Sequence, residues 1–273
     1  MRWLIGAVSV AVIAYLAVAA LLYFQQGRMI YPAPQDVVPL PAGFEEVALE
    51  TADGLTLRSF YKPADEGRPT AVYFHGNGGT LLGSAAATSR LGQKGYGLLL
   101  VEYRGYGGNA GEPSEAGFYQ DGRAALAFLE ARGVQQDQTI LIGNSIGGGT
   151  ATQMATEIQP KALILVAPFT SVPDVASAAL PWVPVHLLVR DQFDNTAKMA
   201  KIDAPVLVQH GSADTMIPSV HGETLADMAP NGLFQSFDGA GHDLIFDPAP
   251  QSAQYVWLTE IDADLSLPQS ARE

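Results

Sequence analysis

From Trp3 to Phe24 the chain carries no charged residue and almost every side chain is apolar. A helix crossing a bilayer needs roughly 20 such residues, whereas the core of a signal peptide has only about 7–15. Trp3, Tyr23 and Phe24 stand at its ends, where interfacial aromatics belong. The run predicts an anchor over residues 1–25. A cleaved signal is the rival reading, because Ala17-Val18-Ala19 mimics a small-x-small cleavage site, although the apolar run continues through Leu21-Leu22-Tyr23-Phe24. The amino terminus and Arg2 precede the span and Arg28 follows it, which leans toward a cytoplasmic N-terminus with the main domain on the outer side.

Beyond the span the pattern changes twice. Residues 26–41 hold Pro32, Pro34, Pro39 and Pro41 and read as an extended tether. Two alternating runs follow, Glu46–Thr51 and Leu55–Tyr61, joined by Ala52-Asp53-Gly54, which predicts a hairpin. Then short, wholly apolar runs appear at Ala71–Phe74, Leu98–Glu102, Thr139–Ile142, Ala162–Val166 and Pro205–Gln209. Helical stretches separate them at Leu81–Lys94, Glu115–Arg132 and Ile146–Glu157. Apolar strands alternating with helices predict an α/β fold: a mostly parallel sheet with helices on both faces, led by an antiparallel hairpin. Pro168–Ile202 is irregular and apolar, and reads as a short lid insertion over the carboxyl edge of the sheet. A strand at Leu233–Asp238 and a helix at Ala249–Glu260 close a domain spanning 42–262, and the tail 263–273 is expected to be disordered.

Composition narrows the choice of partners. Among 273 residues, 15 Lys and Arg face 28 Asp and Glu, a formal net charge of −13. That balance argues against nucleic acid as a partner and against peripheral attachment to anionic lipid. It has no cysteine, so disulfides, thiolate metal sites and cysteine catalysis are excluded.

Gly143-Asn144-Ser145-Ile146-Gly147 joins an apolar strand to a small-residue helix, with one serine at the turn. A serine so placed exposes its hydroxyl at the edge of a sheet, and the two glycines are needed because a Cβ would strike the neighbouring strand and helix. Its use as a nucleophile requires an imidazole base and a carboxylate to orient that base. Of five histidines, His75 and His210 follow strands, His186 lies in the insertion and His221 falls on a helix after Pro218. His242, in the loop Gly239-Ala240-Gly241-His242, is free to reach Ser145; a lone loop histidine is otherwise a solvent-exposed side chain. Asp214, just past a strand end, is the expected acid, and the chain order serine, aspartate, histidine is that of one hydrolase class. Asp191 and Asp194 are competitors that read as a salt-bridge member and a helix N-cap. The backbone amides of Ile146 and Asn77, with Gly78 as alternate, are the expected oxyanion hole. The glycine runs fit neither G-x-G-x-x-G nor G-x-x-x-x-G-K-[ST], and H-E-x-x-H spacing does not occur, so neither cofactor nor metal is expected.

Together these residues resemble the α/β-hydrolase superfamily, and more narrowly its membrane-anchored serine hydrolases related to abhydrolase-domain proteins, a group that includes protein depalmitoylases. The resemblance also rests on Met29-Ile30-Tyr31-Pro32, Thr51-Ala52-Asp53-Gly54, Tyr73-Phe74-His75-Gly76-Asn77-Gly78-Gly79, Glu102-Tyr103-Arg104-Gly105-Tyr106-Gly107 and Ala167-Pro168-Phe169-Thr170. It extends through His210-Gly211-Ser212-Ala213-Asp214 and the His242 loop. It implies Ser145 as nucleophile, Asp214 as acid, His242 as base and the Asn77 loop as half of the oxyanion hole. Arg104 and Tyr106 read as structural. The depalmitoylases attach through a cysteine-rich N-terminal segment, where this chain has an apolar helix. The function expected is cleavage of a carboxylic ester or thioester, with an apolar acyl group, through an acyl-serine. The rivals are an amide-cleaving serine peptidase using the same triad and a catalytically silent, membrane-tethered binding module.

Overall fold

The computed structural model describes residues 1–266. Helix α1 (Arg2–Ile30) leads, with a mean hydropathy of 2.5 in its most apolar window. The extended segment after it delivers the chain to β1 (Glu45–Glu50) and β2 (Thr56–Lys62), an antiparallel pair in which Glu50 opposes Thr56. Their turn closes through the Thr51 amide on Leu55 O at 2.8 Å, with Gly54 at φ 88°.

The remaining elements alternate. They are β3 (Thr70–Phe74), α2 (Leu81–Ala87), α3 (Ser89–Gln93), β4 (Gly97–Val101), α4 (Glu115–Ala131), β5 (Thr139–Asn144), α5 (Ile146–Glu157) and β6 (Ala162–Val166). The insertion follows as α6 (Val172–Ala179), α7 (Val185–Leu188) and α8 (Thr196–Met199). Then come β7 (Val206–Gly211), α9 (Val220–Met228), β8 (Gly232–Phe237) and α10 (Pro248–Ser266). The eight strands form one sheet in the order β1-β2-β4-β3-β5-β6-β7-β8, parallel from β4 through β8, with β2 antiparallel to both its neighbours.

The period of two along each buried strand gives each face of the sheet its own core. Val72, Phe74 and Leu141 join Phe118 of α4, Met154 of α5 and Leu225 of α9 on one face. Ala71, Tyr73, Ile140 and Ile142 join Leu81, Leu91 and Trp257, from α2, α3 and α10, on the other. Strands buried on both faces must read as unbroken apolar runs, which is why their positions stand out in the sequence.

Three boundaries differ most from the sequence expectation, the first being α1, which runs to Ile30 and so takes residues 26–30 from the expected tether. The single helix expected over Leu81–Lys94 is broken at Thr88, where φ is −105° and ψ 7° and the hydroxyl donates to Ser84 O at 2.8 Å. A β-branched hydroxyl returning to the carbonyl four residues back competes with the helical ladder. The closing helix continues to Ser266, into the tail expected to be disordered, and residues 267–273 lie outside the described residues.

Candidate active site

Strand β3 lies between β4 and β5, so the chain crosses to opposite sides after it, and a crevice opens at the carboxyl ends of β3 and β5. From β3 comes the loop His75-Gly76-Asn77-Gly78-Gly79, and from β5 comes Ser145. The serine holds φ 52° and ψ −119°, a left-handed conformation that a side chain adopts only under constraint. The constraint is packing. A Cβ on Gly143 would lie 2.5 Å from Gly147 O and Gly148 Cα, and one on Gly147 would lie 2.1 Å from Phe74 O. Only glycine lets β5, α5 and β3 approach closely enough to fold the turn this sharply.

The structure brings Ser145, His242 and Asp214 together. Ser145 Oγ is 3.1 Å from His242 Nε2, and His242 Nδ1 is 2.8 Å from Asp214 Oδ2. With Nδ1–H donating to the carboxylate, Nε2 is the acceptor for the serine hydroxyl. Asp214 Oδ1 accepts from the amides of Met216 and Ile217, each at 2.9 Å. Burial of this carboxyl opposes its ionisation, yet the Ile217 amide, His242 and the Met216 amide together hold it below its ordinary range. The anion that orients the imidazole is therefore maintained at neutral pH.

Below this chain of hydrogen bonds sits His210, fully buried. Its Nε2 is 2.9 Å from Ile217 O and 3.3 Å from Asp214 Oδ2, and its Nδ1 is buried without a hydrogen-bond partner. Nε2–H donation to the carbonyl fits a neutral ring, and burial lowers the imidazole below its ordinary value. His75 is tied down in the same way, with Nε2 2.8 Å from Glu102 Oε1 and Nδ1 2.7 Å from Gly76 O. Glu102 also accepts from the Leu81 amide, bracing both ends of the Asn77 loop. In the sequence Glu102 stands only as a residue of the loop motif. A carboxylate at the end of an otherwise apolar strand was the available signal.

The other candidates fall elsewhere. His221 lies on α9 with Nδ1 2.8 Å from Thr170 Oγ1, and His186 Nε2 is 3.9 Å from Asp174. Asp194 accepts from the Ala197 amide at the start of α8, as an N-terminal cap would. Asp191, read as a salt-bridge member, instead accepts from the Tyr31 hydroxyl at 3.0 Å, because the end of α1 is folded against the insertion. Arg104 pairs with Asp53 and Asp121, away from Ser145, and Tyr106 packs edge-on against Phe118.

Ser145 sits between two unlike cavities of about 220 Å³ each. One is walled by His75, Asn77, Asn144, His242, Met216 and Phe246, and mixes polar with apolar surface. The other is apolar, walled by Ile30, Ile146, Phe169, Val172, Ala176 and Ile217. Asn77 lines both; Ile146, on the apolar side, is the first residue of α5, so its amide has no acceptor within the helix. The insertion does cover the carboxyl edge, anchored by Asn195, whose amide and Nδ2 donate to Thr170 O and Phe169 O at 2.9 Å. Ile30, the last residue of α1, belongs to the wall although it falls in the stretch that reads as a tether, and nothing in the sequence marks it as touching the site.

Comparison with known proteins agrees with this architecture. A family model described as serine aminopeptidase S33 matches residues 65–197. An uncharacterized Mycobacterium tuberculosis protein is 36% identical over 245 residues, covering 86% of this chain and 87% of that one. Protein bem46 of Schizosaccharomyces pombe is 32% identical over 219 residues, 72% of each chain. Among solved structures, the Pyrococcus furiosus esterase superposes with a TM-score of 0.65 at 17% identity, over 84% of this chain and 96% of that one. An α/β-hydrolase from Vibrio vulnificus gives 0.66 at 22% identity, over 79% and 81%. By its sheet order, its strained serine turn and these relatives, the chain belongs to the α/β-hydrolase superfamily.

Proposed function

We propose that the protein is a serine hydrolase that cleaves a carboxylic ester or thioester through an acyl-serine intermediate, with an apolar acyl group and a more polar leaving group. The hydrogen-bonded chain from Ser145 through His242 to Asp214, at the boundary of an apolar cavity and one of more mixed lining, carries this reading. His242 Nε2 takes the Ser145 proton as Oγ attacks the acyl carbon, and Asp214 stabilises the imidazolium that forms. The amides of Asn77 and Ile146 receive the oxyanion, aided by the positive end of α5. His242 then protonates the leaving group, and water, activated by the same imidazole, releases the acid. A fluorophosphonate probe should label the wild type and not Ser145→Ala. A folded wild type that neither reacts with the probe nor hydrolyses any ester would overturn the assignment.

Amide cleavage is the second reading, favoured by the serine aminopeptidase description of the matching family model. Parallel assays with p-nitrophenyl esters and aminoacyl p-nitroanilides separate the two. We further propose that α1 anchors the enzyme in a membrane, with its N-terminus cytoplasmic and the hydrolase domain on the outer side. Its length and hydropathy support this.

A further inference from the structure

The cavity beside Ser145 does not end at the serine's own surroundings. A second apolar cavity runs between the C-terminal half of α1 and the α6–α7 insertion, and Ile30, Val172 and Ala176 line both. Its other walls include Leu22 and Met29 of α1 and Val183 of the insertion. From Leu22 to Ile30 is eight residues, so the groove climbs about 12 Å along the helix, at 1.5 Å per residue.

Its lower end lies toward the middle of α1. The Tyr15 hydroxyl donates to Trp182 O at 3.1 Å and the two rings meet edge-on at 6.2 Å, so the tip of the insertion lies beside the middle of α1. That tip exposes Trp182 and Leu187, 51% and 85% accessible, and carries no formal charge from Leu180 to Val185. The upper end of the contact is polar and specific: Gln26 Nε2 donates to Leu188 O at 3.2 Å and Gln26 Oε1 accepts from the Arg190 amide at 2.8 Å. Arg190 also lies over the Tyr23 ring. An uncharged tip beneath an arginine and tyrosine layer is the order of side chains expected of a segment that dips below the interface into a bilayer.

We infer that the groove between α1 and the α6–α7 insertion is an acyl-chain channel, through which the single chain of a membrane-dissolved ester or thioester passes from the bilayer to Ser145. The anchor thereby forms one wall of the substrate site. This deepens the serine-hydrolase reading and rests on it for the chemistry, while the binding of the chain can be read without turnover.

Two measurements test it with the full-length chain in phosphatidylcholine vesicles. The first is the ratio of kcat/KM for p-nitrophenyl laurate to that for the butyrate, in wild type and in Ala176→Phe, which fills the junction of the two cavities. The ratio should fall about tenfold or more, the scale on which apolar pockets discriminate chain length. An unchanged ratio in a folded variant overturns the channel. The second is photocrosslinking of Ser145→Ala by a diazirine-bearing palmitic acid analogue. Label should fall on the peptides spanning 22–30 and 172–189, and Ala176→Phe in that background should reduce it; label spread along α1 without preference overturns the channel. Butyrate hydrolysis without groove labelling would refute the channel and leave the hydrolase reading standing. Groove labelling in a protein inert to every ester supports the channel and refutes the hydrolase reading.

Discussion

Ser145 keeps its left-handed backbone because its neighbours leave no alternative. Gly147 touches the carbonyl of Phe74, and a methyl there would meet backbone that α5 and β3 together hold fixed. Gly147→Ala should therefore cost about 3 kcal/mol or more, at the upper end of overpacking penalties, with loss of fluorophosphonate labelling even in the folded fraction. Chemical denaturation with parallel labelling reads both. Asp214→Asn keeps the size of the acid and removes its charge, so the imidazole loses its enforced tautomer, and kcat should fall about 10³–10⁴-fold with KM little changed. His210 predicts a dependence on pH. Burial lowers its imidazole below the ordinary 6.5, so the unfolded chain binds the proton more readily. The stability from keeping this ring neutral is complete above 6.5 and is lost as pH falls through the lower folded value. The depressed Asp214 carboxyl adds a second loss at more acidic pH. Melting temperature should decline from about pH 6.5 downward, and the first part of that decline should be shallower in His210→Gln. An equally steep decline in the variant would assign the effect to other groups.

At the scale of elements, Arg104 shows how a loop motif acts through packing. Its Nε donates to Asp121 Oδ1 of α4 at 2.8 Å, its own amide donates to Asp121 Oδ2 at 2.9 Å, and its guanidinium donates to both oxygens of Asp53 in the β1–β2 turn. The residue thus bolts the hairpin to α4 at the back of the loop after β4. Asp121 is fully buried, and burial pushes its carboxyl up to about 6 against the pull of Arg104. Arg104→Met would leave that carboxylate buried without its partner and should cost about 3–5 kcal/mol, the usual consequence of halving a buried pair. Asp121→Asn with Arg104→Met should recover part of that loss in a double-mutant cycle. The strands were legible because burial on both faces leaves them no polar positions, as in Ala71–Phe74 and Ala162–Val166. The serine turn was legible because its glycines answer to a steric demand that no other residue meets. The break at Thr88 was not, since helical propensity changes little there and the decisive hydrogen bond to Ser84 is a local competition. Nor was the use of Asp191 by Tyr31, which depends on where α1 comes to rest.

For the whole molecule, the question is whether α1 stays attached, and its contacts argue that it does. Tyr15 reaches Trp182, and Tyr15 precedes the Ala17-Val18-Ala19 sequence at which a signal peptide would be cut. Cleavage there would strip the partner from the insertion tip and expose more of an already apolar surface. A chain of net charge −13 also gains little from anionic headgroups, so attachment to a membrane would have to be hydrophobic. These premises predict fractionation behaviour that separates anchor from signal. The protein should remain in the membrane pellet through high salt and alkaline carbonate, enter solution only in detergent, and retain its residues before Ala19 when the mature N-terminus is sequenced. Deleting residues 2–24 should release the domain while keeping Gln26 and its two hydrogen bonds to the insertion, so that fluorophosphonate labelling persists in the soluble fraction. A mature chain beginning at Ala20, found free in the soluble fraction, would make α1 a targeting segment.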